Sequence, residues 1–278
     1  MIRSSGRTAR DLWSRYLPAF VLSTYLSTSA SALPIVCARY IVPTVASAHG
    51  KAGTYFRSDL WIANQSTERL TFFLDYRCSV ACPPWQGGSP QVTLEPGETR
   101  QFDDVVRTIF NRPESRGALS VGHCIVLPSP DSPFSVISRT YTDAPGGSGT
   151  NGTVVPGFGE GWRILSASFI GLAANAGDLR TGYRTNVGIV GMYSVPDHPI
   201  SVRLTLRDST GALIGAGTVS VGDPVQINDV FAALGAPDVV TTNATLHVES
   251  SDGYFIPWVT VIDNQSGDSN FLPITPRQ

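Results

Sequence analysis

The stretch Gln226-Ile227-Asn228-Asp229-Val230-Phe231-Ala232-Ala233-Leu234-Gly235 occurs nearly twice; the earlier copy reads Gln101-Phe102-Asp103-Asp104-Val105-Val106-Arg107-Thr108-Ile109-Phe110. Each copy reads as a strand end running into a short helix. Asp103 and Asn228 stand at the N-cap, where a short side chain accepts from free backbone N–H groups of the first turn. Asp104 and Asp229 follow in that first turn, where the helix dipole favours negative charge. Val105, Val106 and Ile109, like Val230, Phe231 and Leu234, fall on one helical face. Gly235 closes the second copy. A helix this short is marginal alone and must pack on something larger.

Working outward, further pairs appear. Tyr55-Phe56-Arg57-Ser58-Asp59-Leu60 matches Gly182-Tyr183-Arg184-Thr185-Asn186-Val187, and Val154-Val155-Pro156 matches Phe271-Leu272-Pro273. Residues 136–141 align with 258–263. The unit is near 120 residues, a domain rather than a solenoid repeat. Period-two alternation predicts strands at 59–63, 70–74, 91–94, 99–102, 118–121, 134–141 and 153–155 in the first unit. In the second it predicts strands at 184–190, 201–206, 213–221, 224–227, 244–249, 254–262 and 271–274. The turn at Glu95-Pro96-Gly97-Glu98 joins 91–94 to 99–102 as a hairpin. Short strands at regular spacing predict an all-β chain of two tandem Ig-like β-sandwich domains, each with one short helix. The boundaries fall at 33–157 and 158–278, with 157–161 as linker and Trp162 packing at the junction. A barrel is the alternative architecture.

Residues 1–32 have the three parts of a secretory signal peptide: Arg3, Arg7, Arg10 and Arg15, an apolar run over 16–26, and Ala30-Ser31-Ala32. The run is too short to span a bilayer as a helix, so no membrane span is expected after cleavage. Without the leader the chain keeps 16 basic and 21 acidic residues, a net charge of −5. That sign argues against nucleic acid and against an anionic membrane surface. Cys37, Cys78, Cys82 and Cys124 all lie in the first unit. In an oxidising compartment they allow three connectivities, of which closure of the near pair Cys78 and Cys82 leaves Cys37 with Cys124.

Signals for chemistry are sparse. His49, His123, His198 and His247 lie in no metal or hydrolase motif. Asp263, Asp268 and Asn270 could offer oxygens to calcium, although the same residues make ordinary turns. Trp85 sits in a Pro/Gly-rich loop and is a candidate ligand contact. Arg57 with Asp104, and Arg184 with Asp229, are expected to form charge-assisted clamps that fasten strand to helix.

These residues resemble a family. Phe-Arg-Ser-Asp and Tyr-Arg-Thr-Asn, Leu-Glu-Pro-Gly-Glu-Thr, Gln-Ile-Asn-Asp-Val-Phe and Val-Ile-Asp-Asn-Gln-Ser-Gly-Asp look like the tandem β-sandwich modules of uncharacterised secreted bacterial proteins. The resemblance covers roughly residues 39–276. It implies a secreted or surface location and carries no catalytic residue. The expected function is a non-catalytic structural or interaction module without a cofactor, calcium aside. One alternative is a protein binding surface polysaccharide or another extracellular protein; a second is a secreted hydrolase.

Overall fold

The computed structural model describes residues 35–50, 53–79, 89–126, 133–175 and 181–276. The proposed leader, Cys82 and Trp85 lie outside them. The chain is all-β. The first repeat runs β1 (Ile35–His49), β2 (Tyr55–Asn64), β3 (Leu70–Cys78), β4 (Gln91–Leu94), β5 (Thr99–Phe102), α1 (Val105–Thr108), β6 (Ser115–Val126), β7 (Phe134–Asp143), β8 (Thr150–Pro156) and β9 (Phe158–Gly159). The second runs β10 (Ser166–Asn175), β11 (Tyr183–Gly191), β12 (Ile200–Arg207), β13 (Leu213–Val221), β14 (Val225–Ile227), α2 (Val230–Ala233), β15 (Val240–Ser250), β16 (Phe255–Asp263), β17 (Ser269–Leu272) and β18 (Thr275–Pro276).

The two lists correspond element by element, and so do the pairings. The second repeat has two sheets, β13-β12-β15-β10-β18 and β14-β11-β16-β17. The first has the same neighbours, but the end of β1 pairs with the start of β2 (Ser47 with Arg57, His49 with Tyr55), which fuses its sheets into one of nine strands. Each repeat buries its core between these layers. Phe72, Leu74, Leu119 and Val121 meet Leu60, Ile62 and α1 Val105 and Val106 in the first repeat. Phe169, Leu204, Leu206 and Leu246 meet Val187, Ile189, Val259 and α2 Phe231 in the second. Fully burying such a side chain contributes about 1.5–3 kcal/mol, which is what holds four-residue helices in place.

Several expectations need correction. β1 and β10, the first strand of each repeat, were not visible in the alternation. β1 carries Pro43, which has no N–H for the ladder, and its register shifts between Val42 and Val45. β10 is rich in Ala and Ser, with Gly171 at φ +80° beside another register shift. The segment from β4 to β5 is not a hairpin: β4 pairs with β3 and β5 with β2, so the turn carries the chain from one layer to the other. The alignment of β7 with β16 moves by one residue. Arg57 faces Tyr141 and Arg184 faces Ile262, so Tyr141 corresponds to Ile262. A slip of one would swap the faces. The expected linker is itself a strand: β9 pairs Phe158 with Ile41, and Glu160 N–H donates to Arg39 O. Trp162 is half exposed, its ring edge-on to Phe158 at 5.3 Å.

Pro34–Gln278 form one compact unit, and several contacts join the repeats within it, among them Asn151 Nδ2 donating to Ser266 O at 2.6 Å and the Phe271 N–H donating to Thr153 Oγ1 at 3.2 Å. Ile41, Ala118 and Phe158 pack with Val190, Met192 and Ile256. Beside them Arg77, at the end of β3, donates to three carbonyls of the second repeat: Gly191 O at 2.9 Å, Ser194 O at 3.0 Å and Gly222 O at 2.8 Å. Arg77→Ala should lower stability by about 2–4 kcal/mol, because hydrogen bonds from a charged donor are lost together. Chemical denaturation checks this; a change below about 0.5 kcal/mol, typical of a neutral surface substitution, would show that water satisfies those carbonyls equally well.

Candidate functional site

The motifs Arg57-Ser58-Asp59 and Arg184-Thr185-Asn186 build the ground on which the site stands. Alternation on β2 and β11 sends the middle residue inward and its neighbours outward. Inward, Ser58 Oγ accepts the Ala46 N–H at 2.8 Å, and Thr185 Oγ1 accepts the Ala173 N–H at 3.2 Å while donating to Ala173 O at 2.7 Å. Outward, Asp59 Oδ1 accepts the Asp104 N–H at 2.9 Å, and Asn186 Oδ1 the Asp229 N–H at 3.2 Å. Asp104 and Asp229 adopt left-handed backbone angles, φ 44° and 62°, that short polar side chains tolerate. They are the helix N-caps, one position later than the sequence suggested, and no acid lies in either first turn. Asp229 Oδ1 accepts from Ala232 N–H at 3.3 Å; Asp104 makes no such bond.

The arginines do not hydrogen-bond to these caps. Arg57 donates to Asp143 at 2.5 Å, and Arg184 to Asn264, at matching positions: the last residue of β7 and the first residue after β16. Asp229 acts on Arg184 through its field: burial lowers the Arg184 pKa and Asp229 opposes the shift.

Between the repeats lies a cleft of about 310 Å³. The second repeat supplies one wall from the outer face of β14-β11-β16: Arg184, Asn186, Gln226, Asn228, Trp258 and Thr260. The first repeat supplies the other from β1, β2 and β6 to β8, including Ala46, His49, Phe56, Arg116 and Thr153. Trp258 is only 4% exposed. It sits across from Gly188, where an added Cβ would come within 2.0 Å of the indole, so Gly188 is required for the ring to lie flat on its neighbour strand. His49 at the rim shares its Nδ1 with Glu114 Oε2 at 2.9 Å, and hydrogen bonds from His49 hold the Glu114 carboxyl below the usual range. Volume, an aromatic floor and a few convergent polar groups are the ordinary features of a ligand pocket.

The other candidate positions stand apart from this cleft. Cys37 and Cys124 form a disulfide, and Cys78 is disulfide-bonded. In the β16–β17 turn, Asp263 Oδ1 accepts from Gln265 N–H at 2.8 Å and Asp268 Oδ1 from Ser269 N–H at 2.9 Å, while Asn270 pairs with Val261 in the ladder. Among the described residues no three His, Cys, Asp or Glu side chains gather as a metal group. His247 Nδ1 lies 3.1 Å from Ser168 Oγ, with Glu249 3.5 Å from Nε2. These are cross-strand neighbours of β10 and β15. The cleft itself was missed in the sequence, where Trp258 falls within a predicted strand and Arg116 lies in no motif.

No family model and no curated protein matches the chain. Among solved structures, a lectin from Pleurotus ostreatus in complex with GalNAc aligns at a TM-score of 0.21 and 11% identity, covering 90% of this chain and 80% of that one. The apo form of the Pleurotus ostreatus lectin aligns at 0.17 and 12%, covering 87% and 76%. Similarity at this level does not establish a shared fold.

Burial raises the Asp104 carboxyl pKa above the ordinary range, against a hydrogen bond from Ser47 and the fields of Arg107 and Arg57. A raised acid costs stability once the pH exceeds the unfolded value of about 3.9. Asp104→Asn, which keeps the left-handed conformation accessible, should therefore be more stable than the parent at pH 7, with the advantage fading as the pH falls to about that value. Thermal unfolding at both pH values tests this; an equal difference at each would mean that the carboxylate charge is not the cause.

Proposed function

We propose that this protein is a non-catalytic binding module of an oxidising, extracytoplasmic compartment, and that a saccharide unit of an extracellular or surface polymer seats in the cleft between its repeats. The cleft carries this reading. Its floor is an indole, its walls bear guanidinium, amide and hydroxyl groups, and both repeats contribute to it. Sugars present apolar C–H faces and a fringe of hydroxyls, so this mixture of aromatic and hydrogen-bonding groups suits them. The disulfide Cys37–Cys124 suits such a compartment. No helix among the described residues is long and apolar enough to cross a membrane.

The same proposal takes the repeats as two Ig-like sandwiches, 33–157 and 158–278, behind a cleaved leader. β6 between β1 and β3, with β7 between β2 and β8, is the two-layer antiparallel arrangement that supports it. The relatives it would belong among are the tandem modules of secreted bacterial proteins. A purely structural module would use sheet faces or edges instead and leave the cleft empty.

A glycan array with the folded mature chain, followed by titration of its tryptophan fluorescence, decides between the two. Binding should appear, and Trp258→Phe should weaken it roughly tenfold, the equivalent of about 1.4 kcal/mol. A silent array with correctly folded protein would leave the structural reading standing.

A further inference from the structure

The cleft wall on the second repeat differs from the corresponding face of the first in charge. The strand registers equate Asp59 with Asn186, Asp103 with Asn228 and Asp143 with Asn264. All three carboxylates of the first repeat are amides in the second. Yet the hydrogen bonds persist. Asn186 accepts the backbone N–H of Asp229 as Asp59 accepts that of Asp104. Asn228 Oδ1 accepts from Gln226 at 2.7 Å, as Asp103 Oδ1 accepts from Gln101 at 2.7 Å. Asn264 accepts from Arg184 as Asp143 does from Arg57. An amide oxygen and a carboxylate oxygen do the same structural work here, so folding does not account for the choice between them. What changes is the field. Arg57 is neutralised by Asp143; Arg184 has only a neutral amide at that position.

Neighbouring changes do not restore the balance. Arg139 becomes Thr260, which removes a cation from the wall. The added Asp263 turns into its own hairpin. The field of Asp229 on Arg184 has its counterpart in the first repeat between Asp104 and Arg57, so it does not distinguish the two faces, and Glu114 pairs with His49. The first repeat then adds Arg116 across the cleft, and none of the lining side chains is Asp or Glu. Two guanidiniums with amide and hydroxyl neighbours form a neutral-to-cationic pocket in a chain of net negative charge.

We propose that the cleft selects an anionic sugar residue, one bearing a carboxylate or sulfate, with Arg184 and Arg116 facing the anion and Asn186, Asn228 and Gln226 serving the ring hydroxyls. This rests on the cleft being the ligand site. Guanidinium pairs carboxylate and sulfate through directed, charge-assisted bonds, and a carboxylate on the wall would repel either.

The test titrates the folded chain with methyl glucuronide, with methyl glucoside, which differs at the carboxylate, and with inorganic sulfate. The glucuronide should bind at least about tenfold more tightly than the glucoside. Asn228→Asp restores the residue that the first repeat carries and should leave thermal stability unchanged. It should abolish most of that preference, as should Arg116→Gln. Equal binding of glucuronide and glucoside would overturn the anion selectivity while keeping the cleft as the site. A preference that survives both substitutions would place the anion elsewhere and overturn the proposal. Sulfate competing as well as the glucuronide would show that the sugar ring contributes nothing, which overturns the ligand class. Silence toward all three, with the glycan array also silent, would remove the underlying reading itself.

Discussion

Three hydrogen bonds from one guanidinium set the geometry on which the cleft depends. Arg77 leaves the end of β3 and reaches the carbonyls of Gly191, Ser194 and Gly222. A cation that gives up water must recover its hydrogen bonds within the protein. Carbonyl oxygens provide them, and Asp223 adds a favourable field against the burial that lowers the Arg77 pKa. The apolar cluster beside it, Ile41 and Phe158 against Val190 and Ile256, gives attraction but little direction. The planar fork of Arg77 supplies the direction. Shape in the cleft requires both, since its two walls belong to different repeats.

Within each repeat the corresponding constraint is the link from the second strand to the left-handed aspartate. Asp59 and Asn186 each hold the N–H of a residue in an uncommon backbone region, and that residue starts the helix that plugs the core. The inward hydroxyl of the same tripeptide binds the first strand of the opposite layer. One short motif thereby joins a strand, a helix and the facing layer. Its recurrence in both repeats follows from that load: changing any one partner strands a buried polar group, which costs about 1–3 kcal/mol.

The segments that carry this fastening were legible in the sequence because they occur twice, but its bonds were not: the sequence pointed to arginine clamps, whereas Ser58, Thr185, Asp59 and Asn186 make the contacts. The two copies named the right tripeptides and the right helices, although they misplaced the cap by one residue and aimed the arginines at the wrong acceptors. Asp104 and Asp229 read as first-turn acids because a positive φ leaves no trace in residue spacing. β1 and β10 were illegible for a different reason: Pro43, Gly171 and runs of alanine and serine erase the alternation, and their pairing with β6 and β15 is set by partners far along the chain. The cleft was illegible because its lining comes from both repeats. Only the exchange of Asp59 and Asp103 for Asn186 and Asn228 was on view in the aligned segments, and it gains meaning once the strands place both amides on one wall.

The cleft arises because the repeats bury corresponding faces differently. On the first repeat the outer pair of β2 and β7 is Trp61 with Ile137, the latter 42% exposed. On the second the same cross-strand pair is Gly188 with Trp258, and the indole is 4% exposed. The large side chain has moved to the neighbouring strand and lies flat over a glycine. An upright tryptophan at position 188 would add bulk to the wall that the first repeat covers; a flat one leaves a depression under β1. The ring then lines the same cleft as Arg184 and Asn186. The two repeats present corresponding faces, and the one that lies against the other repeat is the one that forms the cleft.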